Sequence, residues 1–334
     1  MTQRVLVTRA TLPGTGLDRL AECAELVRWP GSDRPTGPQL QELAAGVSGI
    51  VCLGNDTVDA ALLDAAGPGL KVVGLASMGF DAVHREAAAS RGVVVTHTPG
   101  VLTETTADLA FALILMARRR LVTAGDSLRA GKWGLFRMHD YLGLDVHGAT
   151  LGLVGYGQIG RAVARRATGF GMRVLHHDGF VTEDDGVSTS TDLQSLLGEA
   201  DIVSLHVPLT PETRHLIGAA ELRAMKPTAT VVNTSRGGVI DEAALLRALT
   251  DGVIHSAGLD VFEREPLGTE VAELTAQSRL VTLPHIGSAT ETTRAAMVDL
   301  AIDNVLDVLG GKPARTPLPG SPSLPGPSRD GVTA

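Results

Sequence analysis

The chain has 334 residues, more than the roughly 100–200 that one domain usually takes, so two domains are expected. Hydrophobic residues at 44% and charged residues at 20% exclude a disordered chain, which could not bury enough apolar surface to fold. A net charge of −8 argues against a nucleic-acid binder, which needs clustered Lys and Arg, and no apolar run approaches the ~20 residues that span a bilayer. Cys23 and Cys52 have no metal-ligand spacing and make no disulfide framework. With no long apolar segment after Arg4, they fit a cytoplasmic location and no metal.

In chain order, Val5–Thr8, Gly49–Leu53, Lys71–Leu75 and Val93–Thr96 have the β-branched character of strands, separated by helical stretches such as Val58–Ala65 and His84–Ser90. Thr98-Pro99-Gly100 is a punctuated turn, and a helix is expected from Thr103, as its cap, to Arg119. A second strand series follows at Thr150–Gly155, Met172–His176, Asp201–Val207, Thr228–Asn233, His255–Asp260 and Leu280–Leu283. Asp241 has the place of an N-cap, with Asp251-Gly252 as the stop. A last helix is expected over Glu291–Leu309, able to pack back on the first domain, and Pro313 onward is Pro/Gly/Ser-rich and expected to carry no fold. Alternating strands and helices predict an α/β architecture of two doubly wound parallel-sheet domains, with a ligand cleft between them.

Leu151–Gly160 contains Gly155-x-Gly157-x-x-Gly160 between a strand and a helix. In such a turn the first glycine permits the tight bend. The second lets the backbone approach a pyrophosphate, and the third lets helix and strand pack closely. The helix N-terminus supplies N–H donors and a partial positive charge. Asp178, at the end of the second strand, is placed to accept both ribose hydroxyls of an adenosine and to repel a 2′-phosphate. Gly179 and Phe180 follow it rather than Arg, which favours NAD over NADP.

Ligands of open α/β sheets bind at the carboxyl ends of strands. There the second series carries His206, Arg236, Asp260, Glu263, Glu265 and His285. Hydride transfer to a carbonyl beside a carboxylate fits this set. Arg236 would bind the substrate carboxylate in a bidentate manner, and His285 would exchange a proton with the reacting oxygen. A carboxylate would fix the imidazole tautomer, with Glu265 the better candidate and Asp260 the runner-up.

These segments resemble the D-isomer-specific 2-hydroxyacid dehydrogenase family. The motifs are Leu151–Asp178, NTSRGGVID at Asn233–Asp241, AGLDVFEREP at Ala257–Pro266 and LPHIGSAT at Leu283–Thr290, within a similarity over about residues 3–313. TPGVLTETTADLAFAL at Thr98–Leu113 is similar to the glyoxylate/hydroxypyruvate reductase branch. The resemblance implies a flavodoxin-like substrate domain (residues 1–100 and 288–312), a Rossmann-type NAD domain (101–287), an active site in the cleft and a homodimer. The remainder, 313–334, is then a disordered tail.

By position, the resemblance makes Arg236, Glu265 and His285 the catalytic set, and Ser77, Met78 and Gly79 the loop whose N–H groups hold the substrate carboxylate. It assigns the cofactor to Thr106, Gly155, Gly157, Gln158, Ile159, Gly160, Asp178, His206, Val207, Pro208, Thr234, Ser235, Asp260, His285 and Ser288. The implied reaction is NAD-dependent reduction of glyoxylate, hydroxypyruvate or a similar 2-oxo acid.

Gly74–Ala82 also resembles the substrate loop of phosphite dehydrogenase, but Met78 stands where that enzyme has Lys. Oxidation of phosphite is disfavoured, and another phosphonate or specialised hydroxy acid is the alternative. Formate dehydrogenases resemble this fold but have Gln at the position of Glu265. An NAD-sensing co-regulator that binds partner peptides is the remote alternative. Trp133, Phe136, Met138 and Tyr141 are either a wall of the substrate pocket or the anchors of their own loop.

Overall fold

The structure is a computed structural model that describes residues 3–31, 33–269 and 271–322. The chain runs β1 (Arg4–Val7), α1 (Gly16–Cys23), β2 (Glu25–Arg28), α2 (Gly37–Ala44), β3 (Gly49–Cys52), α3 (Ala60–Ala66), β4 (Val72–Leu75), α4 (Arg85–Ser90) and β5 (Val94–Thr96). Then come α5 (Thr103–Arg118), α6 (Leu121–Arg129), β6 (Thr150–Val154), α7 (Gln158–Thr168), β7 (Arg173–His177), β8 (Thr189–Ser190), α8 (Leu193–Glu199) and β9 (Ile202–Leu205). It ends with α9 (Ala219–Ala224), β10 (Thr230–Asn233), α10 (Glu242–Thr250), β11 (Ser256–Leu259), α11 (Val271–Ala276), β12 (Leu280–Thr282) and α12 (Glu291–Leu309). None of the described helices is long and apolar enough to cross a membrane.

These elements form two compact units. Unit 1 takes the chain up to Leu102 and again from Ala289, and unit 2 runs from Thr103 to Ser288. In unit 1 the sheet order is β2-β1-β3-β4-β5, all parallel, which is the flavodoxin-like order. In unit 2 the order is β12-β11-β10-β9-β6-β7-β8, also all parallel, the doubly wound dinucleotide-binding arrangement with a further edge strand. The expected α/β class with parallel sheets is borne out.

The central strands of both units are buried at every position, for example β3, β4, β9 and β10. Such strands need helices on both faces, which is why they are continuous Val/Ile/Leu runs rather than alternating ones. In unit 2, α5 covers β10 and β11 with Ala110, Leu113 and Ile114. In unit 1, α12 lies over β3 and β4 with Ala301, Ile302 and Val305.

The cationic end of α5 is tied down. Arg118 is buried, and its guanidinium donates to the carbonyls of Asp145, Asp201 and Thr228 at the amino ends of the unit 2 strands. Asp201 is pinned there too, accepting from the Thr150 N–H at 2.9 Å and from Lys226 Nζ at 2.9 Å.

The segment from Pro313 differs from its expectation as far as it is described. Leu318 is buried, and its N–H donates to the Val95 carbonyl. Thr316 bonds His97 O and Asn304, and Pro317 bridges Thr96. One apolar side chain among the prolines, together with Thr and Ser hydroxyls that reach backbone groups, is enough to order residues 313–322 along β5. The rest of the expected tail, 323–334, lies outside the described residues.

Candidate active site

The glycine turn follows β6, at the carboxyl edge of the unit 2 sheet. Gly155 has φ +95, and a Cβ there would lie 2.7 Å from the His206 carbonyl carbon. A Cβ on Gly160 would lie 2.3 Å from Gly155 O, so the helix meets the turn only because that position has no side chain. At Gly157, by contrast, nothing among the described residues would lie within 4 Å of a Cβ. Gly157 is the N-cap of α7, and no side chain caps that helix. An uncapped N-terminus facing open space fits a pyrophosphate, whose oxygens take the free N–H groups. Gln158 Oε1 accepts from Thr103 Oγ1, and Ile159 is half-buried behind the turn.

Beside the glycine turn, Asp178 directly follows β7. Its Oδ2 accepts the Tyr156 N–H at 2.6 Å, and its Oδ1 accepts the N–H groups of Phe180 and Val181. Burial disfavours its charge, but these three backbone donors prevail and hold the carboxyl below its usual range. Asp178 is therefore an organised carboxylate. His206 follows β9 with Nε2 on Ser204 Oγ, and burial pushes its pKa down to about 4, so the ring is neutral. Val207 is half-buried and Pro208 is exposed beside it.

After β10 the chain makes a side-chain-stabilised turn. Asn233 is buried; its Oδ1 accepts the N–H and hydroxyl of Ser235, and its Nδ2 donates to Arg236 O. Asn233 thereby shapes the loop that presents Arg236. Thr234 Oγ1 is buried without a hydrogen-bond partner, an orphaned donor at the edge where a dinucleotide would lie. Gly237 comes next, and a Cβ there would lie 1.8 Å from the Phe262 carbonyl carbon. The Arg236 loop and the loop after β11 are therefore in backbone contact.

The β11 loop carries the carboxylates. Glu265 Oε2 is 2.6 Å from His285 Nδ1, and its Oε1 accepts the Phe262 N–H. Burial would raise the Glu265 carboxyl, but the His285 hydrogen bond, the Phe262 N–H and the Arg236 charge hold it below its usual range. Glu265 is thus ionised beside the imidazole, and it fixes Nδ1 as the bonded nitrogen.

Asp260, the runner-up, holds the backbone instead. It accepts the N–H groups of Ile286 and Gly287, both at 2.8 Å, and its own carbonyl accepts the His285 N–H. Those contacts keep His285 in the left-handed region, at φ 53, in which a non-glycine residue is uncommon. Burial pushes Asp260 up to about 6.

Thr106, buried on α5, spends its hydroxyl on Gly287 O, and Ser288 ends the same loop half-buried. Arg236, Asp260, Glu265 and His285 thus gather at one edge of unit 2. Ser77, Met78 and Gly79 belong to unit 1, in the loop after β4. There Met78 O faces His97 Nδ1 at 3.0 Å, and Ser77 O accepts the Thr98 N–H. Asn233, Gly237 and Tyr156 were not singled out from sequence. An Asn closing a strand before Thr-Ser is a readable turn signal. The other two act through partners remote in sequence.

The model of the D-isomer specific 2-hydroxyacid dehydrogenase NAD binding domain matches residues 111–287. The chain belongs to this family of oxidoreductases. Among its relatives, a glyoxylate reductase of Korarchaeum cryptofilum is 46% identical over 310 residues, 92% of each chain. The glyoxylate/hydroxypyruvate reductase B of Salmonella typhimurium is 42% identical over 311 residues, 92% of this chain and 95% of that protein. Among solved structures, the NADPH-dependent glyoxylate/hydroxypyruvate reductase of Sinorhizobium meliloti, in complex with NADP and malonate, superimposes with a TM-score of 0.84. It is 37% identical, with 97% of this chain and 99% of that one covered. The resemblance drawn from the sequence motifs is borne out. In this 2-hydroxyacid dehydrogenase the matched NAD binding domain falls inside unit 2.

Proposed function

We propose that this dehydrogenase reduces a small 2-oxo acid of the glyoxylate or hydroxypyruvate type to the D-2-hydroxy acid, and that it prefers NADH. The observation that carries the reading is the Glu265–His285 contact of 2.6 Å at the sheet edge that also presents Arg236. A bound nicotinamide would supply the hydride. Arg236 binds the substrate carboxylate as a guanidinium fork. His285, its Nδ1 engaged by Glu265, turns Nε2 to the carbonyl oxygen and gives up a proton as the alkoxide develops. Glu265 holds the ring and balances the imidazolium charge.

The uncapped α7 terminus and the glycine turn bind the pyrophosphate, Asp178 binds the ribose hydroxyls, and Thr234, Ser235, Asp260 and Ser288 serve the nicotinamide end. In unit 1 the Ser77–Gly79 loop is the segment proposed to bind the substrate carboxylate, and unit 1 is the substrate domain. Asp178 supports NADH over NADPH, since a 2′-phosphate would meet a carboxylate.

A homodimer is part of the proposal. None of the residues of α6 is buried, and Leu128, Trp133, Leu135, Phe136, Met138 and Leu142 are exposed in and just after it. An apolar surface of that kind fits a second copy better than water.

The test is a panel of glyoxylate, hydroxypyruvate, pyruvate, phenylpyruvate and phosphonopyruvate with NADH and with NADPH, followed by coenzyme absorbance. Turnover of the two- and three-carbon acids with NADH is expected. No turnover of any, with NADH still bound, would overturn the substrate assignment.

A further inference from the structure

The glycine turn holds a tyrosine whose side chain has its own system of contacts. Tyr156 is 1% exposed. Its ring stacks on His176 at 4.0 Å between centroids on one side and carries the Arg161 guanidinium 4.6 Å above its centre on the other. Its hydroxyl donates to Asp185 Oδ2 at 2.9 Å, and Arg161 Nη1 donates to the same oxygen at 2.8 Å. Asp185 Oδ1 accepts the N–H groups of Val187 and Ser188. His176 grips both ends of this loop. Its Nε2 faces the Val181 carbonyl, which only accepts, so Nε2 carries the proton and Nδ1 accepts from the Ser188 hydroxyl.

The loop so fixed begins directly beyond Asp178 and contains Glu183, Asp184 and Asp185. Sites that accept a 2′-phosphate do so with a nearby Arg. Here the cation in the first turn of α7 is Arg161, and it lies over Tyr156, the residue whose N–H bonds Asp178. Its guanidinium is already taken by Asp185.

We propose that Asp185, held by the Tyr156 hydroxyl and Arg161, sets the choice of NAD over NADP in this enzyme. It acts in two ways. It neutralises the cation that would otherwise face a 2′-phosphate, and it draws the acidic loop against the phosphate-binding turn. Tyr156 is the positioning residue, because its backbone serves Asp178 while its side chain serves Asp185. Burial and the neighbouring Asp185 push the phenol up to about 12, so it remains a donor throughout the working range. This inference deepens the NADH preference proposed above and rests on it.

The experiment compares kcat/KM for NADH and NADPH, with one 2-oxo acid at saturation, in the intact wild type, Asp185→Ser and Tyr156→Phe. Thermal unfolding of each is recorded alongside. Wild type favouring NADH, with the NADH-to-NADPH ratio falling at least tenfold in Asp185→Ser through a lower KM for NADPH, is the expected result. Tyr156→Phe keeps the ring and its stack and is expected to move the ratio in the same direction. A ratio unchanged within twofold in both variants, or both coenzymes losing equally with a lowered unfolding temperature, overturns the role of Asp185 and leaves the NADH preference standing. A wild type that favours NADPH overturns both.

Discussion

Gly237 and Phe262 meet backbone to backbone, so closely that a methyl group on Gly237 would lie 1.8 Å from the Phe262 carbonyl carbon and 2.3 Å from Glu263 N. Arg236 precedes that glycine, and Glu265 lies on the same loop as Phe262. The spacing of guanidinium and carboxylate therefore depends on an absent side chain. Gly237→Ala forces the two loops apart, and overpacking of this kind costs about 1–3 kcal/mol or more. The variant is expected to lose stability in urea unfolding and to lose about 10²-fold in kcat/KM, since misplacement by about an ångström has that effect. Wild-type kcat/KM in Gly237→Ala would show that the spacing of the two loops does not matter to turnover.

Glu265→Gln keeps a hydrogen-bond acceptor near His285 Nδ1 but removes the negative charge. The imidazolium loses its counter-charge, so kcat for reduction is expected to fall by about 10²-fold while KM for NADH changes little. Wild-type kcat in Glu265→Gln, with chemistry limiting the rate, would count against the pairing.

Asp260 provides a linkage test. Burial raises its folded pKa to about 6, whereas the unfolded carboxyl titrates near 3.9. A raised folded pKa contributes stability that is fully present below about pH 4 and is lost as the pH rises through about 6, a change of about 3 kcal/mol. Asp260→Asn cannot ionise, so its stability should rise more steeply between pH 4 and 7 than that of the wild type. Parallel stability curves would refute this. The same variant offers an N–H to the Ile286 or Gly287 N–H, so the His285 loop loosens and kcat falls.

At the opposite sheet edge, Asp201 has the reverse sign. Burial opposes its charge, but the Thr150 N–H and Lys226 hold the carboxyl below its usual range. Its stabilisation is present above the unfolded pKa near 3.9 and is lost as the pH falls through the lower folded value. Asp201→Asn is expected to cost about 1.5–3 kcal/mol at pH 7, a difference that shrinks in acid, with KM for NADH unchanged. Chemical denaturation at two pH values checks it.

Much of this molecule was legible in its sequence because parallel, doubly covered strands announce themselves as short Val/Ile/Leu runs. The glycine turn is legible because Gly155 and Gly160 each have a separate steric duty, and Arg236, Glu265 and His285 because they follow strands at the carboxyl edge of the sheet. Edge strand β2 escaped notice, since its half-exposed pattern over Glu25–Arg28 has no apolar run. Gly237 against Phe262, and Tyr156 against Asp185, are pairs that sheet order and register bring together, and nothing local in either partner marks them. The expectation of no fold from Pro313 failed at Leu318 for the opposite reason, because composition averages away one anchoring side chain.

Proton transfer by His285 to a 2-oxo acid held by Arg236 is checked by steady-state reduction of glyoxylate and hydroxypyruvate with NADH in the wild type, Arg236→Ala and His285→Ala. Turnover is expected in the wild type, with a loss of about 10²-fold or more in kcat for His285→Ala, and for Arg236→Ala a large rise in KM for the acid with KM for NADH retained. Activity that survives in both variants would contradict it.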